Sequence, residues 1–91
     1  MINRRQVLEI WSMIGDVYIS ACAWYNTKNC YWIMSPKLWD LLYENKLVEV
    51  NKVTSDKEMK GWIVHIDPSV EGDYYVALMN AVPEMIKCSL L

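Results

Sequence analysis

Tyr31-Trp-Ile-Met-Ser-Pro-Lys-Leu-Trp-Asp-Leu-Leu-Tyr-Glu-Asn45 carries two different periodicities side by side. Tyr31–Met34 is a short apolar run of the kind a buried strand needs. Ser35-Pro36 then changes the register. A serine hydroxyl can accept an orphan amide at a helix start, and the fixed φ of proline suits the first helical position. Leu38, Leu41 and Leu42 follow at i, i+3 and i+4, one apolar helix face. Asn45 tolerates positive φ and is expected to stop the helix in the left-handed conformation. The stretch therefore predicts a strand over 30–34 and a helix over 36–44.

On the N-terminal side, Asn3 and Gln6 have capping-box spacing. Val7, Trp11, Ile14, Tyr18, Cys22 and Tyr25 then recur at helical intervals, with Leu8, Ile10 and Val17 widening the stripe. A long helix over roughly 4–25 is expected. Gly15-Asp16 is its weak point, since a mid-helix glycine costs about 1 kcal/mol. A rival reading ends the helix there and pairs 17–24 with 30–34 as a hairpin across Asn26-Thr27-Lys28-Asn29. β-Branched and aromatic residues at 17–19 and 24–25 support the rival. Ser20-Ala21-Cys22-Ala23 supports the helix, which is the preferred reading.

On the C-terminal side, Leu47–Val50 reads as a short strand. Asn51–Lys60 is polar and charged, and reads as a solvated hairpin loop or a ragged edge. Trp62, Val64 and Ile66 alternate with Ile63, His65 and Asp67, a strand with one strongly apolar face. Asp67–Asp73 is turn chemistry, with a proline start and a glycine exit. Tyr74–Met79 returns as a strand, expected antiparallel to 62–67. Pro83 breaks the chain again, and Ile86, Cys88 and Leu90 alternate as a last strand. The expected fold is α+β: a mainly antiparallel sheet of four to five short strands, with a long N-terminal helix and one short helix packed on one face. Residues 1–91 form one small domain by length.

Composition bounds the function. Of 91 residues, 54% are hydrophobic, with five Trp, six Tyr and six Met. A domain this small buries only roughly 60% of its unfolded surface, so part of that apolar material is expected at an interface, where Trp, Tyr and Met are enriched. The net charge of −2 lacks the positive excess that duplex nucleic acid demands. No run of about 18 uncharged apolar residues predicts a membrane span, and the N-terminus has no signal-type apolar core. Three cysteines, Cys22, Cys30 and Cys88, without a Cys-x-x-Cys pair, suggest buried free thiols in a reducing compartment, the cytoplasm.

Candidates for chemistry are few. His65, the only histidine, shares a strand face with Asp67, a spacing suited to orienting an imidazole; the expectation is a histidine on the wetter strand face, opposite Trp62, Val64 and Ile66, because no nucleophile motif accompanies it. Asp67, Glu71 and Asp73 cluster three carboxylates, but not at the spacing of a calcium loop, so a solvated acidic turn is the expectation. The cysteines sit in apolar surroundings that blunt thiol reactivity. Arg4, Arg5 and Lys37 with Trp24, Trp32 and Trp39 resemble the basic–aromatic interleaving of single-strand binders, but the charge balance supplies no funnel. No catalytic residue, metal or cofactor is assigned.

Trp32-Ile-Met-Ser-Pro36, a short helix, and then Gly61-Trp-Ile-Val64 and Asp67-Pro68 resemble a stretch of phage capsid proteins. The likeness covers roughly residues 30–68. It implies a phage or viral origin and nothing catalytic.

The leading expectation is a small, non-enzymatic, intracellular protein-binding module. Its partner is another protein or its own copies, as in a homodimer formed by an edge strand or the first helix. A phage-encoded inhibitor of a host enzyme or defence system is one form of it. The binding residues are taken as Trp24, Tyr25, Trp39, Tyr43, Tyr74 and Tyr75, aromatics in excess of what the core absorbs. The alternative is a module sequestering a nucleotide or other small molecule, with aromatics lining a pocket and Arg4, Arg5 or Lys37 holding an anionic group.

Overall fold

The cap expected at Asn3 opens the longest element of the computed structural model. Asn3 Oδ1 accepts the Gln6 N–H at 3.0 Å, and Gln6 Oε1 accepts the Asn3 N–H at 3.0 Å. Helix α1 (Arg4–Trp24) follows and runs unbroken through Gly15. Its interior side buries Val7, Ile10, Ile14 and Ala21. That 3.6-residue rhythm of burial outweighs the strand propensity of residues 17–19, and the hairpin reading does not hold. The structure describes residues 2–24, 30–70, 72–80 and 85–89, but not the side chains of Trp24, Asn80 and 85–89. Tyr25 therefore lies outside the described residues.

Strand β1 (Cys30–Met34) and helix α2 (Pro36–Glu44) have the expected bounds. Ser35 is the hinge between them, 2% exposed. Its Oγ accepts the N–H of Leu38 at 3.4 Å and of Tyr75 at 3.0 Å, and donates to the carbonyl of Asp73 at 2.6 Å. One hydroxyl thus caps α2 and ties it to the far side of the sheet.

The end of α2 corrects the sequence reading. Asn45 keeps φ at −90°, and it is Lys46 that takes the left-handed conformation, at φ 60°. The Lys46 N–H reaches the Tyr43 carbonyl at 3.0 Å, and the Leu47 N–H the Leu42 carbonyl at 3.0 Å, which is a Schellman closure. Asn45 instead spends its side chain on neighbours. Its Nδ2 donates to the Leu41 carbonyl at 2.8 Å, and its Oδ1 accepts from Arg4 Nη1 at 2.9 Å.

Because Leu47 closes the helix and Val48 is buried, the next strand β2 shrinks to Glu49–Val50. The polar 51–60 segment is more ordered than expected. Asn51 Oδ1 accepts the N–H groups of Val53 and Thr54, forming a side-chain-headed loop, and strand β3 (Lys57–Met59) follows. Lys60 and Gly61, at φ 53° and 84°, make the two-residue turn into β4 (Trp62–Ile66). Positive φ at both central positions is the geometry that matches strand twist. Strands β5 (Tyr75–Asn80) and β6 (Met85–Ser89) complete a six-stranded sheet in the order β2-β3-β4-β1-β5-β6.

That order overturns one expectation. β5 does not pair with β4; β1 lies between them, parallel to β4 and antiparallel to β5. The reason is in the composition of β1. Cys-Tyr-Trp-Ile-Met has no charge on either face, which suits a strand flanked on both edges. The chain crosses from β1 to β4 through α2, β2 and β3, giving one parallel pair; the other four pairings are antiparallel. The fold is α+β, as the sequence implied.

Alternation assigns the two faces. Cys30, Trp32 and Met34 of β1, Val64 of β4, and Val76 and Leu78 of β5 share one buried cluster with Ile10, Ile14, Leu38 and Leu42 of the helices. Both helices therefore cover the same face. Trp32, fully buried, anchors it: its indole N–H donates to the Met59 carbonyl at 3.0 Å, and its ring meets Trp62 at 5.8 Å.

Candidate functional site

The other face of the sheet is built by the same alternation. Successive strand side chains point to opposite faces, and register partners share a face. With Trp32, Met34, Val64, Val76 and Leu78 turned to the helices, Tyr31 and Ile33 of β1 point away. So do Ile63 and His65 of β4, and Tyr75, Ala77 and Met79 of β5. Tyr31 pairs with Met79, and Ile33 with both His65 and Ala77. Across the three central strands these residues form one continuous patch. Among the described residues, neither helix lies over it, since the helices share their core with the opposite face.

The patch is mostly apolar and partly wet. Ile63 is 42% exposed, Tyr31, Ile33, Tyr75 and Met79 are half-buried, and His65 is exposed. Ala77 is buried between its larger neighbours. The Tyr31 and His65 rings meet edge to face at 5.1 Å and 86°. That contact fixes His65 as a rim group on an aromatic platform. Asp67 does not orient it. The Asp67 carboxylate accepts from the Ser69 N–H at 2.9 Å and the Ser69 hydroxyl at 2.6 Å, and those two bonds hold its pKa below the usual carboxylate value.

The aromatic residues expected to bind are dispersed. Tyr75 belongs to the open face. Tyr74 packs against the helix-side core, and Trp39 is 5% exposed. Tyr43, 52% exposed, stacks on Trp39 at 6.1 Å beside β2 and β3, away from the open face. The side chain of Trp24 and all of Tyr25 lie outside what the structure describes. Tyr31, Ile33, Ile63 and Met79 were missed by the sequence reading. The period-2 alternation at 62–67 carried the signal for Ile63, but the strand neighbours that make it a patch are non-local.

Other chemistry is sparse. Burial pushes the Cys30 thiol up, with nearby Cys22 adding to the effect; Cys22 itself is exposed. Among the described residues, no three His, Cys, Asp or Glu side chains group as metal ligands. One cavity lies at the C-terminal ends of β1 and β4, lined by Ser35, Lys37, Asp40 and Asp73 among others. Its lysine is spent on Asp73 at 3.2 Å, and its serine is fully bonded. Arg4 and Arg5 point elsewhere, to Asn45 and to Glu9. No helix of the described residues is long and apolar enough to cross a membrane.

No family model, curated protein or solved structure matches the chain. The open face is accordingly read from its own chemistry.

Proposed function

We propose that this chain is a non-enzymatic protein-binding module whose docking surface is the open face of β4, β1 and β5. The observation that carries the proposal is a contiguous aromatic and aliphatic patch, Tyr31, Ile33, Ile63, Tyr75 and Met79, on a sheet whose two described helices lie on the other side. Contiguous exposed apolar patches mark interaction sites, and the tyrosines give such a patch large rigid area with a polar tip. The exposed Cys22 thiol fits a reducing compartment such as the cytoplasm. Action as an inhibitor, by covering a functional surface of its partner, is one use of such a patch.

The alternative reading, a module that sequesters a nucleotide, needs aromatics around a cavity and a free cation within it. Among the described residues, the three cavities at the β2–β3 turn and loop and at the C-terminal end of β1 have Tyr43 as their one aromatic lining residue. The surface reading is therefore preferred. The test is capture of a partner by tagged chain, followed by substitution. Ile63→Lys is expected to abolish capture, while Val53→Lys, at an exposed loop tip, leaves it intact. Equal capture by both variants would dismiss the open face as the docking surface.

A further inference from the structure

The open face of the sheet does not end at its apolar patch. Ile63 of β4 stands in register with Glu58 of β3, and Glu58 with Glu49 of β2. Register partners share a face, so both glutamates lie on the open side, in a row from Ile63 to the sheet edge. The neighbouring lysines go the other way. Lys57 Nζ lies 5.8 Å over the Trp39 ring and Lys60 Nζ 4.4 Å over the Trp11 ring, both rings belonging to the helices. Charge at this corner is thus sorted by face, with cations on helix aromatics and carboxylates on the open side. Among the strand residues whose side chains are described, the open face carries no Lys or Arg.

This sorting leaves an internal conflict. Glu49 and Glu58 stand directly opposite on antiparallel strands, where like charges repel. Among the described residues, neither carboxylate has an ion-pair partner. Asn51 Nδ2 donates to Glu58 Oε2 at 3.4 Å, a long bond from a neutral group that leaves the charge in place. A cation arriving from outside cancels the repulsion, and it arrives beside Ile63. The patch itself has the footprint of a helix. Three strands about 4.8 Å apart make it about 10 Å wide, the diameter of an α-helix. The five residues of β1 make it roughly 16 Å long, the rise of about 11 helical residues.

We propose that the open face takes an amphipathic helix of a partner protein, with Lys or Arg along one flank. The apolar stripe of that helix lies on Tyr31, Ile33 and Ile63, and its basic flank meets Glu58 and Glu49. The inference rests on the docking role given to this face and adds the form and charge of the partner. Complementary charge fixes the register and orientation of the incoming helix. The bound helix supplies the layer that α1 and α2 supply on the other side.

The test is fluorescence anisotropy with two synthetic peptides of about 15 residues, the length at which helix becomes attainable. Both carry the same leucine stripe; one has Lys and the other Glu at the flanking positions. The Lys peptide is expected to bind the native chain and to gain helical circular dichroism. The Glu peptide is expected to bind about tenfold more weakly or worse. Glu58→Lys is expected to weaken the Lys peptide about tenfold and to favour the Glu peptide. Should that variant not fold, Glu49→Lys at the exposed edge reads the same charge. Glu44→Lys makes the same change of net charge at the exposed end of α2. It is expected to shift binding by less than about twofold, since salt screens distant charges. Ile63→Lys is expected to abolish binding. If Ile63→Lys removes binding and the glutamate substitutions do not, the docking face stands and the basic partner falls. Binding that survives Ile63→Lys removes the docking face as well. Equal affinity for the two peptides, no binding of either, or a bound peptide with a strand signal overturns the inference. So does a native chain at twice its 10.7 kDa monomer mass in light scattering that Ile63→Lys returns to monomer, since a second copy then occupies the face.

Discussion

Ser35 and the cysteines show how single side chains set the terms. The Ser35 hydroxyl, in a residue only 2% exposed, satisfies two amides and one carbonyl. Loss of the cap costs about 0.5–2 kcal/mol, and each buried group left unpaired about 1–3 kcal/mol. Ser35→Ala is thus expected to lower the unfolding free energy by about 2–4 kcal/mol in urea titration, on those same magnitudes. A loss under about 1 kcal/mol means water replaces the hydroxyl and the hinge is not shut. The thiols separate by burial. Alkylation with peptide mapping is expected to label Cys22 well ahead of Cys30; equal rates would show that β1 opens freely. The sign of the pH effect follows from the direction of the Cys30 shift. Its folded pKa lies above the unfolded one, so this contribution to stability is full below the ordinary thiol value. It is lost as pH rises through the folded value. Asp67 acts oppositely: its contribution is present above the ordinary carboxylate pKa and is lost as acid titrates the folded group.

At the scale of elements, the same substitution takes opposite signs at two glycines. Space is open at both Gly15 and Gly61, but Gly15 is helical and Gly61 holds φ at 84°. Gly61→Ala is expected to cost about 1–2 kcal/mol of backbone strain alone. Gly15→Ala is expected to add about 0.5–1 kcal/mol of stability. Chemical denaturation reads both; a shared sign would show that conformation at these residues is not what decides. The elements that local rules describe were legible. Ser35-Pro36 and the Asn3–Gln6 pair announce their helices because their partners lie within four residues. What local rules miss is where a neighbour supplies the reason. Lys46 takes the left-handed position that Asn45 suits better, because Asn45 is held by Arg4 and the Leu41 carbonyl. β3 hid in a charged segment because Lys60, at the turn, looks like loop. Its ammonium in fact sits 4.4 Å above the Trp11 ring of α1.

For the whole molecule, strand order and face were the illegible part. Nothing near Tyr31 or Met79 says that they will stand side by side, since that contact depends on β1 entering between β4 and β5. The excess of aromatic residues was readable, but not its location: of the four singled-out rings that the structure describes, Trp39, Tyr43 and Tyr74 are packed or stacked elsewhere, and the open patch is built from aliphatics with Tyr31 and Tyr75. Expansion of the chain does not explain the exposed apolar surface. Its radius of gyration is 12.6 Å, and a single compact domain of this length is expected at about 12 Å. The cause is layering: among the described residues, both helices share their core with one sheet face and neither covers the other face. If contiguity rather than exposure makes that face sticky, then two substitutions that differ in context must differ in effect. Ile63 is 42% exposed within the patch, and Val53 is 92% exposed at the tip of the loop between β2 and β3. Both Ile63→Lys and Val53→Lys are expected to change the unfolding free energy by less than about 0.5 kcal/mol, as surface substitutions do. Only Ile63→Lys is expected to reduce binding of an apolar fluorescent dye to the native chain and to raise its solubility limit against precipitant. Should Val53→Lys lower dye binding as much, exposed area alone sets the behaviour, and the uncovered sheet face has no special standing as a docking surface.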